Sequence, residues 1–289
     1  MSTGGNGDGP GGRLTPDRGG EPVLSVDEVA REAEALARSI PAERIEALAG
    51  GPPLLTLDRL VAGYGKMEIL HGFSLAIARG RSLCLIGPNG AGKSTVLHSI
   101  YGFTRIFSGT VSIGGRDITR LTPSQKLKNA GIAYILQDNS VFPDMTVREN
   151  LLMGGYLLPS VREAGEAADR VLEKYPRLAA RADQRASVLS GGERRLLEIS
   201  RALIMEPEVL LVDEPSIGLE PRFIDMVFEI LATLQVEDGK TIVMVEQNAK
   251  KGLEFADTGY VLVSGALALA GPGRELLENE QVGRLFLGG

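Results

Sequence analysis

Gly87, Gly92, Lys93 and Ser94 lie in the run Arg81-Ser-Leu-Cys-Leu-Ile-Gly-Pro-Asn-Gly-Ala-Gly-Lys-Ser-Thr95 and fit the spacing G-x-x-x-x-G-K-[ST]. That spacing serves the binding of a phosphate chain. Glycines let successive backbone N–H groups curl around an anion, and a helix opening near Lys93 adds its positive end. The Lys93 ammonium suits the β- and γ-phosphates of a nucleotide, and the Ser94 hydroxyl suits Mg²⁺. Gly87, Pro88, Asn89, Gly90, Ala91, Gly92, Lys93, Ser94 and Thr95 are therefore the candidate phosphate-binding residues.

A second group of chemical residues lies downstream, in Val209-Leu-Leu-Val-Asp213-Glu214. Four apolar residues make a buried strand, and two acids stand at its end, where α/β sheets place ligands. Asp213 suits Mg²⁺, through water, and Glu214 suits a general base polarising an attacking water. Alone, such a pair is an ordinary loop start; behind a phosphate loop it completes a hydrolytic site. A third group, Leu189-Ser190-Gly191-Gly192-Glu193-Arg194-Arg195, opens a helix with Ser190 as N-cap and Glu193 at N3.

The elements that must position these groups follow from patterning. Short β-rich runs at 54–60, 83–86, 110–113, 132–136, 209–212, 241–245 and 260–263 alternate with helical segments. Strands separated by helices imply crossover connections and a largely parallel sheet with covered faces. Residues 146–185 read as mostly helical, an insertion between two parts of the sheet. Residues 1–24 are glycine-rich with almost nothing apolar, which predicts a disordered tail. Residues 25–53 read as a helical extension: Ser25 and Glu28 fit a capping box, Pro41 interrupts the pattern, and Ile45 and Leu48 continue it. This segment is expected to be a surface helix packed on its own domain or left mobile, or else a docking helix for a partner subunit.

Composition removes several classes. One cysteine cannot form an internal disulfide, and two histidines leave no zinc-type cluster. Cys84, inside an apolar strand, reads as core, and His71 and His98 carry no partner pattern. The first residues lack a signal-peptide pattern and no apolar run is long enough to span a bilayer, so a soluble protein of a reducing compartment is expected. A net charge of −6 argues against nucleic acid as a partner.

Leu189-Ser-Gly-Gly, with Gly191 standing 18 residues before Val209, resembles the signature of ATP-binding cassette (ABC) ATPases, and the resemblance covers about four-fifths of the chain, from Leu54 onward. It implies an α/β fold: a P-loop core with a mainly parallel sheet, a helical signature subdomain at about 140–205, and a small antiparallel β element from parts of 54–77. It also implies a head-to-tail dimer with two ATP molecules between the subunits. In that arrangement Ser190, Gly191, Gly192 and Glu193 of one subunit close on the γ-phosphate held by the other. Tyr64 resembles the aromatic that stacks on adenine. Gln137 resembles the glutamine that touches Mg²⁺ and water and senses a membrane subunit. Val141-Phe-Pro-Asp-Met-Thr-Val resembles the surface where that subunit docks.

Two positions depart from the family pattern. Glu220 stands where Asp usually precedes Pro221, and Gln247 stands where a switch histidine usually bonds the γ-phosphate. Gln can donate one such bond but cannot become cationic. Val245-Glu-Gln-Asn-Ala, with Tyr64-Gly65, Met153-Gly-Gly-Tyr156 and the terminal Val282-Gly-Arg-Leu-Phe-Leu-Gly-Gly, resembles ATP-binding subunits of branched-chain (hydrophobic) amino-acid importers, a subgroup that extends to urea and short amides. The resemblance implies transmembrane permeases, a second ABC ATPase (this chain or a paralogue), indirectly a solute-binding protein, and a peripheral place on the cytoplasmic face of the inner membrane. An alternative is the ATPase of the lipopolysaccharide exporter, similar over 189–203 but carrying histidine where Gln247 stands. A soluble ABC protein of DNA repair or translation would usually carry two cassettes or a coiled-coil insertion, and neither is visible. Glu214 argues against a nucleotide-binding module that does not hydrolyse.

Overall fold

The computed structural model describes residues 42–137 and 140–286. The glycine-rich tail and the Ser25–Glu28 capping box lie outside the described residues. In chain order, α1 (Ala42–Leu48) precedes β1 (Pro53–Tyr64), β2 (Met67–Ala78), β3 (Ser82–Ile86), α2 (Lys93–Tyr101), β4 (Arg105–Ile113), β5 (Arg116–Asp117), α3 (Pro123–Ala130) and β6 (Ile132–Ile135). Helices α4 (Val147–Gly154), α5 (Val161–Lys174), α6 (Pro176–Ala179) and α7 (Gly191–Leu203) follow. The chain then runs through β7 (Val209–Asp213), α8 (Pro221–Val236), β8 (Thr241–Val245), α9 (Ala249–Phe255), β9 (Thr258–Val263), β10 (Ala266–Pro272), α10 (Gly273–Leu277) and α11 (Glu280–Phe286).

Two sheets organise these elements. Six strands run in the order β10-β9-β3-β8-β7-β6, parallel except for β10, which turns back antiparallel on β9. Every residue of β3, β7, β8 and β9 is buried, as a parallel sheet covered on both faces requires. Alternate side chains enter two cores. Cys84, Ile86, Leu210 and Val212 face the helices, while Leu83, Leu85, Val209 and Leu211 pack with α2 and the second sheet. Cys84 is thus core, and burial raises its thiol pKa.

The second sheet is antiparallel, in the order β2-β1-β4-β5. It corrects one reading of the sequence, which grouped 110–113 with the parallel strands. Residues Arg105–Ile113 pair antiparallel with β1. The local cause is visible at Ile113-Gly114-Gly115-Arg116: both glycines have φ above zero (53° and 78°), the two-residue turn that folds β4 back onto β5. Helix α1 rests on this side of the molecule, with Ile45 and Ala49 buried against Ala76.

Candidate functional site

The phosphate loop leaves β3 at Ile86 and reaches α2 within seven residues. Gly87 has φ 149°, and a Cβ there would lie 2.2 Å from the Leu262 carbonyl oxygen, so only glycine lets the loop pass β9. Gly92, at φ 97°, is the N-cap of α2 and offers no side-chain cap, so the first N–H groups of the helix stay available for an anion. The Lys93 ammonium lies inside the loop and donates to the Gly87 and Pro88 carbonyls at 2.9 and 3.0 Å. Burial lowers its pKa, with Glu214 and Asp213 opposing.

β7 brings the acids to the same end of the sheet. Ser94 Oγ donates to Asp213 Oδ1 at 3.2 Å, across 119 residues of sequence. Glu214 adopts a left-handed φ of 42°, a strained conformation for a residue with a side chain, and its N–H donates to Val245 O at 2.9 Å. Gln137 Nε2 donates to Glu214 Oε2 at 2.9 Å. The Glu214 carboxyl is raised above its ordinary pKa, chiefly by burial and then by Asp213 and Glu246, with Lys93 opposing. Desolvation with a neighbouring charge is what a proton acceptor in a hydrolytic site needs. Gln247 is exposed two residues beyond β8, whose last residue pairs with Asp213.

Tyr64 ends β1 as a residue 43% exposed, an aromatic open to a flat ligand. Its hydroxyl shares a 2.5 Å hydrogen bond with His98 Nδ1. The signature segment is built from other elements. Ser190 and Glu193 form the expected capping box: Glu193 N–H donates to Ser190 Oγ at 3.3 Å, and Ser190 N–H to Glu193 Oε2 at 2.9 Å. The Ser190 N–H, and after it the Ser190 hydroxyl and the Arg181 guanidinium, hold the Glu193 carboxyl below its usual pKa. Gly192 faces the Phe223 ring of α8 so closely that a Cβ would lie 2.3 Å from Phe223 Cδ1. The phosphate loop, Asp213, Glu214 and Gln137 therefore meet within one chain, while Ser190–Glu193 present a separate helix start.

Three contributors escaped the sequence reading. Tyr134 OH donates to Asp213 Oδ2 at 2.7 Å. His98 joins Tyr64 and stacks beside Tyr134, with ring centroids 5.8 Å apart. Glu246 is fully buried; its Oε1 accepts from Ser216 Oγ at 2.7 Å and Asn248 N–H at 2.8 Å. A lone hydroxyl in the apolar run Ile-Ala-Tyr-Ile was the one signal for Tyr134. Beside the site, a groove of about 360 Å³ is lined by Tyr134, Leu136, Phe142, Met153, Tyr156 and Arg201. The Arg201 guanidinium lies over the Phe142 ring, 5.5 Å from its centroid.

Comparison with known proteins agrees with this architecture. The ABC transporter family model matches residues 70–217. The chain is 41% identical to the high-affinity branched-chain amino acid transport ATP-binding protein BraG of Pseudomonas aeruginosa, over 82% of this chain and 100% of that one. It is 39% identical to the probable branched-chain amino acid transport ATP-binding protein LivF of Archaeoglobus fulgidus (81% and 99% covered). The lipopolysaccharide export system ATP-binding protein LptB of Haemophilus influenzae is 32% identical (81% and 97% covered). A crystal structure of a nucleotide-free ATP-binding cassette from an ABC transporter superposes with a TM-score of 0.73 at 29% identity, over 82% of this chain and 100% of that one. With its phosphate loop, strand-end acids and capped Leu-Ser-Gly-Gly helix, this chain belongs to the ABC transporter family as an ATP-binding, ATP-hydrolysing subunit.

Proposed function

We propose that this chain powers an importer of branched-chain or other hydrophobic amino acids, or of related small polar solutes such as urea or amides, from the cytoplasmic face of the inner membrane. The observation that carries the transport reading is the 41% identity that spans the whole length of a branched-chain amino acid transport subunit. The lower identity to the lipopolysaccharide export protein makes export the second reading. Among the described residues no helix is long and apolar enough to cross a membrane, so the solute path belongs to permease subunits. The groove beside Phe142 and Tyr156 suits a permease helix, and solute choice then rests with the permease and a solute-binding protein.

In this reading residues 54–289 form the cassette, with a helical subdomain at about 140–205, and 25–53 an extension. Tyr64 stacks on adenine. The amides of residues 87–95 and the Lys93 ammonium bind the phosphates and stabilise charge on the γ-phosphate as it leaves. The Ser94 hydroxyl and Asp213 carboxylate are hard oxygen donors 3.2 Å apart, a pair suited to Mg²⁺, with Gln137 beside them. Mg²⁺ there would neutralise phosphate charge. Glu214 accepts the proton of the attacking water, giving ADP and inorganic phosphate. Gln247 donates a neutral hydrogen bond to the γ-phosphate. Ser190, Gly191, Gly192 and Glu193 close on the nucleotide of a second ABC ATPase, the chain itself or a paralogue, in a head-to-tail dimer.

The experiment is affinity purification of the chain from detergent-solubilised native membranes, with mass spectrometry of what accompanies it. Two permeases of an amino-acid or amide importer are expected. An exporter's permeases, or soluble partners alone, would overturn the import reading and leave the hydrolytic site untouched.

A further inference from the structure

Asp213 has both carboxylate oxygens engaged, and one of its two partners belongs to no recognised motif. Oδ1 accepts from Ser94 on the phosphate-loop helix, and Oδ2 accepts from the Tyr134 hydroxyl on β6 at 2.7 Å. Asp213 is itself buried, so this is a charged acceptor in a dry setting, where a single donor counts most. The Tyr134 ring is not free to swing away. Tyr101 and His98 of α2 and Phe103 just beyond it surround it, at centroid distances of 5.5, 5.8 and 5.9 Å. The strands carrying the pair are neighbours in parallel register, with Tyr134 opposite Leu211. The hydroxyl therefore reaches Asp213 from a fixed direction and leaves Oδ1 turned toward Ser94.

We infer that Tyr134 is a positioning residue for the metal site: its hydroxyl orients the Asp213 carboxylate so that Oδ1 and Ser94 together receive Mg²⁺. This rests on the Mg²⁺-dependent nucleotide site proposed above. Groups that orient a metal-binding side chain from behind commonly set metal affinity without touching the metal. Tyr134 also lines the groove beside Phe142, so the same ring borders both the metal carboxylate and the docking surface.

The test measures binding of a fluorescent ATP analogue to the full-length chain, first in excess chelator and then across a Mg²⁺ titration. Tyr134→Phe keeps the ring and removes only the hydroxyl. Its analogue affinity in chelator should equal that of the parent, while the Mg²⁺ concentration giving half the metal-dependent enhancement should rise about tenfold. Asp213→Asn sets the largest effect expected at this site. Thermal unfolding of the Tyr134→Phe chain within a few degrees of the parent separates positioning from simple destabilisation. A Mg²⁺ half-point within twofold of the parent overturns the inference, as does equal weakening with and without the metal. If the parent itself shows no Mg²⁺ enhancement, the metal part of the proposed function falls, and this inference with it.

Discussion

Gly192 sits at the second position of α7, and its exchange for alanine isolates one packing constraint on the signature. The new Cβ would stand 2.3 Å from Phe223 Cδ1, 2.8 Å from Cε1 and 2.9 Å from Cγ. Carbon atoms in contact prefer about 3.5–4.0 Å, so ring and helix start must separate by roughly 1 Å. Overpacking of this kind costs about 1–3 kcal/mol, and alanine's better helix propensity offsets at most about 1 kcal/mol of it. We expect Gly192→Ala to lose about 1–2 kcal/mol in urea unfolding. Turnover should fall further, by up to about 100-fold, because in the proposed dimer a displacement near 1 Å misplaces a group that would act on the other subunit's phosphate. Binding of a fluorescent ATP analogue to the phosphate loop should not change. Phe223→Leu in the same chain should relieve the clash, giving a coupling energy of about 1 kcal/mol in the double-mutant cycle. Parental stability and turnover in Gly192→Ala, or a cycle without coupling, would refute the steric account.

Three further outcomes follow from the site and its supports. Arg195 and Glu198 form a buried pair at 2.8 Å, and the same Arg195 nitrogen donates to Leu136 O at 2.7 Å, next to Gln137. Arg195→Met should therefore cost about 3–5 kcal/mol by stranding Glu198, and Arg195→Met with Glu198→Leu should recover most of it, read by urea unfolding. Gln247→Ala should lower kcat with little change in analogue binding; unchanged turnover would remove Gln247 from the mechanism. Because burial and then Asp213 raise the Glu214 carboxyl above 4.5, its ionised form is lost at a higher pH than an ordinary glutamate's. The acid limb of kcat/KM against pH, which reports the free chain, should lie above that value, and a limb at or below it would contradict Glu214 as the base.

Much of the site was legible because its determinants are local. Glycines 87, 90 and 92, Lys93 and Ser94 occupy one turn, and their spacing is the geometry. The Ser190–Glu193 capping box is four residues wide and forms as read. The acids at 213 and 214 follow four apolar residues, which fixes them at a strand end. What escaped is non-local. Tyr134 reaches Asp213 across 79 positions and Tyr64 meets His98 across 34, so each pairing depends on strand order that no window of sequence contains. Strand β10 escaped for another reason: Ala-Leu-Ala-Leu-Ala-Gly-Pro has no β-branched residue, and pairing with β9 alone makes it a strand. The run at 110–113 was rightly extended but wrongly placed, since alternation gives the pleat and leaves the partner open.

The most direct test of the account is Glu214→Gln, which keeps the shape of the side chain and removes its capacity to accept a proton. The variant should bind the fluorescent ATP analogue as the parent does and lose turnover, with kcat down at least about 100-fold. The variant chain should also be no less stable than the parent. A raised folded-state pKa means that ionised Glu214 opposes folding above that pKa, and the neutral amide lacks this cost. Hydrolysis retained by Glu214→Gln would contradict the central claim that this carboxylate activates the attacking water.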